Sequence, residues 1–169
     1  MKRPSNVKCH RGFATVDMMI VAVIILIVVT YAWTAIIQAQ RWQAREGAAQ
    51  QFAGFLERAR SDSVRRRATD AQQMAEVTIL NDTFYEVRTD ENGDGALDAP
   101  RVISLQEQQL KMDGPFPRMF MFDRFGKYVD GGGNALKPTY VTFGNRSGKS
   151  VVTVSDTGKA SWNENGNKK

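Results

Sequence analysis

The chain is poor in the residues from which most catalytic and metal sites are built. It has one cysteine, Cys9, and one histidine, His10, both within the first twelve residues. A single cysteine excludes an intramolecular disulfide. A lipoprotein reading of Cys9 also fails, because the apolar run follows it rather than precedes it. Beyond residue 12 neither Cys nor His is available, and no Ser nucleophile elbow or phosphate-binding loop is evident. The expectation is a protein that is not an enzyme and carries no cofactor.

Acidic residues are missing from positions 1–12, which hold Lys2, Arg3, Lys8 and Arg11. The formal charge of +5 comes mainly from this prefix: removing four of the 23 basic residues leaves 19 against 18 acidic ones. Net charge therefore gives no support to a general attraction to nucleic acid or anionic lipid. Proline is absent from Val16 to Thr69, so nothing in that stretch breaks a helix.

What is present is one long apolar run, Val16 to Ile37, whose only charge is Asp17. At about 1.5 Å per residue a helix of this length crosses the roughly 30 Å of a bilayer's hydrocarbon core. In lipid a lone segment must satisfy its own backbone hydrogen bonds, which predicts a helix in spite of the many Val and Ile. Tyr31, Trp33 and Trp42 fit an interfacial aromatic belt, and the basic prefix favours a cytoplasmic N-terminus. The remainder, from about Gln38, is then expected outside the inner membrane. A cleaved secretory signal competes with this reading, but the run is too long and no small-x-small site closes it.

The helical pattern continues from Gln38 to about Thr69. Phe52, Phe55, Leu56, Ala59 and Val64 form an apolar stripe, with Arg58, Arg60, Arg65 and Arg66 mostly outside it. After Asp70 the period changes. Strands are predicted at Val77–Leu80, Thr83–Arg88, Arg101–Leu105, Arg118–Phe122, Lys127–Val129, Thr139–Phe143, Ser150–Val154 and Lys159–Trp162, the first two joined as a hairpin through Asn81-Asp82. The turn-like segments Asp123–Gly126, Gly131–Asn134 and Asp156–Gly158 separate later strands. The reading is an α+β fold, a long N-terminal helix (transmembrane half plus amphipathic half) packed on antiparallel β-sheets, two in number. Its parts are a prefix (1–12), a membrane helix (13–37), an amphipathic helix (38–70), a β-rich domain (71–162) and a polar tail (163–169).

Arg11-Gly12-Phe13-Ala14-Thr15-Val16-Asp17, running straight into the apolar segment, resembles the class III leader of type IV pilin-like proteins. The resemblance implies a prepilin peptidase that cuts between Gly12 and Phe13 and N-methylates Phe13. It also implies a pilin-like fold and other pilin or pseudopilin subunits as partners. In that family the fifth residue of the mature chain, usually Glu, pairs with a neighbouring subunit's terminal amine during assembly. Asp17 stands at that place, one methylene shorter; the plainer alternative is a cap on a helix starting at Met18.

Ala59-Arg60-Ser61-Asp62-Ser63-Val64-Arg65-Arg66 is similar to the A-R-S-E-A-I-R-R helix motif of the GspH/FimT family of minor pseudopilins and pilins. Tyr85–Gly95 resembles that family's strand and D-x-N-G-D-G turn, and Phe122–Lys127 and Val154–Lys159 resemble its later glycine-containing hairpins. The chain departs from many pilins in having Thr34 where they carry a helix proline. The implied role is a minor pseudopilin of a type II secretion pseudopilus or type IV pilus-like fibre, in the cell inner membrane; the alternative is a pilus-tip receptor for extracellular DNA.

Two further patterns invite sharper readings. Asp90, Asn92, Asp94 and Asp98 alternate as in a calcium loop, but the twelfth position is Arg101 rather than Glu, and a plain β-turn is preferred. Arg65-Arg66-Arg67 and the C-terminal Arg146, Lys149, Lys159, Lys168 and Lys169 could meet DNA phosphates. Nearby acids and the scarcity of aromatics favour a solvated face, and the arginine run also suits a helix C-terminus.

Overall fold

The computed structural model describes residues 13–146 and 148–164. Helix α1 runs from Phe13 to Arg66. By its contacts the chain divides into two compact units, Met1–Ala39 and Gln40–Lys169.

In the first unit the described residues are the apolar part of α1. Its large side chains from Val16 to Ile36 are exposed on every side of the helix. It is the one helix among the described residues that is long and apolar enough to cross a membrane. Thr30 and Thr34 return their hydroxyls to the carbonyls of Leu26 and Tyr31, at 2.7 and 2.9 Å. The helix passes Thr34, where many pilins have proline, without a break.

In the second unit α1 supplies a core face of small residues around two large ones: Ala48, Ala49, Phe52, Ala53, Leu56 and Ala59 are all buried. The alanines let the helix lie close to the sheets, and Phe52 fills the space between them. Its ring meets Tyr85 at 5.2 Å and Phe120 at 5.9 Å on one sheet, and Phe143 at 5.3 Å on the other. Val64 departs from the predicted stripe, with 42% of its surface exposed. The helix also ends earlier than its composition suggests. Arg67 takes a left-handed φ of 52°, Arg67 N–H donates to Val64 O at 3.2 Å, and Ala68 N–H donates to Ser63 O at 3.0 Å. This is the Schellman closure, here without its usual glycine.

Two antiparallel sheets follow. The first contains β1 (Glu76–Ile79), β2 (Phe84–Arg88), β3 (Arg101–Ser104), β5 (Arg118–Phe122) and β6 (Tyr128–Val129), in the order β3-β2-β1-β5-β6. The second is ordered β4-β7-β8-β9, from β4 (Lys111–Asp113), β7 (Thr139–Asn145), β8 (Gly148–Val154) and β9 (Ala160–Glu164). The hairpin predicted at Asn81-Asp82 forms: Ile79 pairs with Tyr85, and Asn81 Oδ1 accepts the N–H groups of Thr83 and Phe84, both at 2.9 Å. Alternation sends Val77, Ile79, Tyr85 and Val87 into the core. β4 escapes the sequence reading because Lys-Met-Asp has no β-branched residue. Its pairing with β7 and the burial of Met112 against Phe143 make it a strand. β9 extends through Glu164, beyond the predicted start of the polar tail.

Candidate functional site

Asp17 lies inside α1, a full turn past its first residue, and so does not cap a helix beginning at Met18. It is exposed and shares a shallow apolar strip with Met18, Val21, Ala22 and Ile25. No described residue forms an ion pair with it. A helix apolar all round is stable only when buried in a large core or surrounded by lipid, and a carboxylate there costs roughly 2.5–3.5 kcal/mol on insertion scales unless paired. Gly12, on the other side of the expected cut, lies outside the described residues.

The end of α1 gathers the sequence motifs into one structure. Arg60 Nε donates to Gly126 O at 3.0 Å, and Glu57 Oε1 accepts Ala160 N–H at 2.6 Å. Asp62, 6% exposed, accepts from Arg65 Nη2 at 3.0 Å, from Arg66 Nε at 3.0 Å and from the Asp90 N–H at 3.1 Å. Arg65 Nη2 also reaches Asp90 Oδ2 at 2.8 Å. Segments that the sequence displays separately (the helix motif, the acidic turn and the two glycine hairpins) are thus bonded to each other. Arg66 differs from the solvated face expected of it, since its side chain is only 8% exposed. Charge-assisted bonds of this kind fix geometry. They leave Arg65 and Arg66 committed to carboxylates rather than free for phosphate.

The oxygens of the calcium candidates are also committed. Asp90 Oδ1 accepts Gly93 N–H at 2.6 Å, and its Oδ2 accepts Gly95 N–H at 3.0 Å and the Arg65 guanidinium. Burial pushes the Asp90 carboxyl up, but the Gly93 and Gly95 N–H groups and the guanidinium of Arg65 pull it down further, leaving it below the usual carboxylate range. Asp98 Oδ2 accepts Glu91 N–H at 2.6 Å, Asp94 Oδ1 accepts Ala96 N–H at 2.8 Å, and the Asn92 amide bridges Asp94 and Asp98. Among the described residues no three acidic, His or Cys side chains are arranged to hold a metal ion. The segment is a turn closed by its own N–H groups, and the Arg65 guanidinium bonds to its first residue, Asp90.

Of the basic candidates, Arg146 and Lys149 are brought together, lining one cavity, and Lys168 and Lys169 lie outside the described residues. Arg146 and Lys149 flank the β7–β8 turn, whereas Lys159 follows β8 and precedes β9, at the other end of a seven-residue strand. That separation is about 20 Å at 3.3 Å per residue.

Sequence reasoning missed a buried polar knot. Arg45 and Glu46 are 2% and 6% exposed, and both turn toward Ser150 on β8. Arg45 Nε donates to Ser150 Oγ at 2.9 Å, and that hydroxyl donates to Glu46 Oε1 at 2.5 Å. Among the described residues Arg45 Nη1 and Glu46 Oε2 have no hydrogen-bond partner. Adjacent opposite charges on a helix ordinarily face water, so the sequence carries no signal for this pair.

A long N-terminal apolar helix whose later part packs on two antiparallel sheets is a pilin-like architecture, and that is the class the fold defines. Comparison with protein-family models, with curated proteins and with solved structures finds no match.

Proposed function

We propose that the chain is a minor pseudopilin of the GspH/FimT kind, a structural subunit of a type II secretion pseudopilus or type IV pilus-like fibre. The observation that carries this reading is the helix from Val16 to Ile36, apolar and uncovered on every face and interrupted only by Asp17. It follows a basic prefix ending in Gly12-Phe13. Prepilin peptidase removes residues 1–12 and methylates Phe13, and the helix stays in the inner membrane until it bundles with those of neighbouring subunits. Asp17 neutralises a neighbour's terminal amine, recovering in the fibre the cost of a carboxylate in lipid. The β domain, outside the membrane, contacts other minor subunits, and the bonds at the end of α1 hold its hairpins to the helix. The role is architectural and not catalytic.

Mass spectrometry of the chain from cells with an active prepilin peptidase tests the reading. A methylated Phe13 terminus is expected, and an intact Met1 terminus would overturn it. Asp17→Ala should leave membrane insertion unchanged while abolishing entry into the fibre, and Asp17→Glu should restore entry. In the DNA-receptor alternative Arg146 and Lys149 would act together at one end of β8, with Lys159 beyond the other end.

A further inference from the structure

The β7–β8 turn is tied to the first turns of α1 in the second unit: Asn145 Nδ2 donates to Arg41 O at 2.8 Å. This places Arg146 beside Arg41, the two lining one shallow cavity with Gln108, Gln109 and Asn145. A second cavity, adjoining through Gln109, Asn145 and Arg146, adds Lys111 and Lys149. Lys111 pairs with Asp82 at 2.8 Å and Lys149, loosely, with Asp113 at 3.5 Å. Four cations against these two carboxylates leave an excess of two positive charges, and Glu107 in the neighbouring turn lines neither cavity. Among the described residues Arg41 and Arg146 have no ion-pair partner.

Chain connectivity bounds how far this basic rim can lie from the apolar run. Four residue-to-residue steps separate Ile37, the end of the apolar run, from Arg41. Even fully extended they span at most about 14 Å, whatever the direction in which the run leaves the domain. Arg41 therefore lies within reach of the polar layer of any membrane that the run crosses. Trp42, 44% exposed, adds a side chain suited to that depth. The attraction of anionic lipid for basic side chains acts over about one Debye length, roughly 8–10 Å in ordinary salt.

We infer that the rim of Arg41, Lys111, Arg146 and Lys149 seats on the phosphates of anionic phospholipids in the membrane that the apolar helix crosses. The inference rests on the membrane-anchored part of the proposed function. Seating of this kind holds the β domain at the surface and must be released when a subunit leaves the bilayer for a fibre.

The test uses the full chain in nanodiscs of phosphatidylcholine alone or mixed with phosphatidylglycerol, read by amide hydrogen exchange. The amides of the β7–β8 turn should exchange several-fold more slowly in the anionic discs. That protection should vanish at about 0.5 M NaCl and in the Arg41→Gln/Arg146→Gln variant, while the β2 amides, reporting the fold, stay unchanged. Equal exchange in both kinds of disc, with residues 16–37 protected, would overturn the inference and leave the anchor standing. Unprotected 16–37 would remove the anchor and the inference together. Equal protection by inorganic phosphate, or by a short DNA duplex, in phosphatidylcholine discs would also overturn it, identifying a free-phosphate or a nucleic-acid site.

Discussion

Gly158 sits directly against the carbonyl oxygen of Gly126, so close that a β-carbon on Gly158 would overlap it. Both glycines have left-handed backbones, with φ of 76° and 75°, and the Gly126 carbonyl also accepts the bond from Arg60. The two hairpins therefore touch backbone to backbone under the end of α1, which only residues lacking a side chain permit.

Gly158→Ala should accordingly lower unfolding stability by about 2–4 kcal/mol, combining left-handed strain with an overlap that backbone atoms cannot relieve. Thermal unfolding of the full chain in detergent measures it. The control is Gly54→Ala, a helix position with open space around it, expected to stabilise by a few tenths to about 1 kcal/mol.

The acid limb of stability should report Asp90. Its folded value is depressed, so its contribution is complete above the ordinary carboxylate range, near pH 4, and is lost as pH falls through the lower folded value. Asp90→Asn should flatten that limb below about pH 4 and loosen the turn at Asp90–Asp98. Unfolding midpoints across a pH series, for the native chain and the variant, check the sign.

Tyr85 is fully buried and its hydroxyl has no hydrogen-bond partner among the described residues. Burial pushes its phenol well above the ordinary value, with Arg101 only partly opposing. Tyr85→Phe should therefore be neutral or stabilising by up to about 1 kcal/mol, whereas Phe52→Ala, which empties the space between the sheets, should cost about 3–5 kcal/mol. Denaturant midpoints compare the two. In an ultraviolet alkaline titration the Tyr85 phenol should ionise only when the domain unfolds.

Arg45 and Glu46 should behave as a coupled pair. Arg45→Met alone leaves a buried carboxylate and should cost about 3–5 kcal/mol, while Arg45→Met with Glu46→Leu should cost far less. A double-mutant cycle on chemical unfolding reads the coupling directly. Gly148→Ala should also destabilise, because its φ is 144° and a β-carbon would come within 2.5 Å of Arg45 Nη1.

Much of the architecture is legible in the chain because it follows from one-dimensional patterns. Val16–Ile37 is apolar at every angular position, so no water-exposed helix face exists, and the alternation at Val77–Ile79 and Tyr85–Val87 assigns the sheet face. Where such a pattern is missing the reading stops short. The end of α1 at Arg66 comes from a left-handed arginine rather than a glycine, and β4 exists only because β7 is there to pair with it. The tie between Asp62 and Asp90, 28 residues apart, and the burial of Arg45 beside Ser150 depend on which segments the sheets bring against the helix.

The sequence by itself determined the lipid-compatible helix, its single carboxylate at Asp17 and the change from helical to strand periodicity after Asp70, because each is a local property of spacing and polarity. Only the tertiary structure decided that the Arg65 guanidinium bonds to Asp90 at the start of the acidic turn, that Gly126 and Gly158 share one contact, and that Arg41 and Arg146 join in one basic rim separate from Lys159. Those outcomes depend on distances between segments remote in the chain, which chain closure and core packing set and no local pattern encodes.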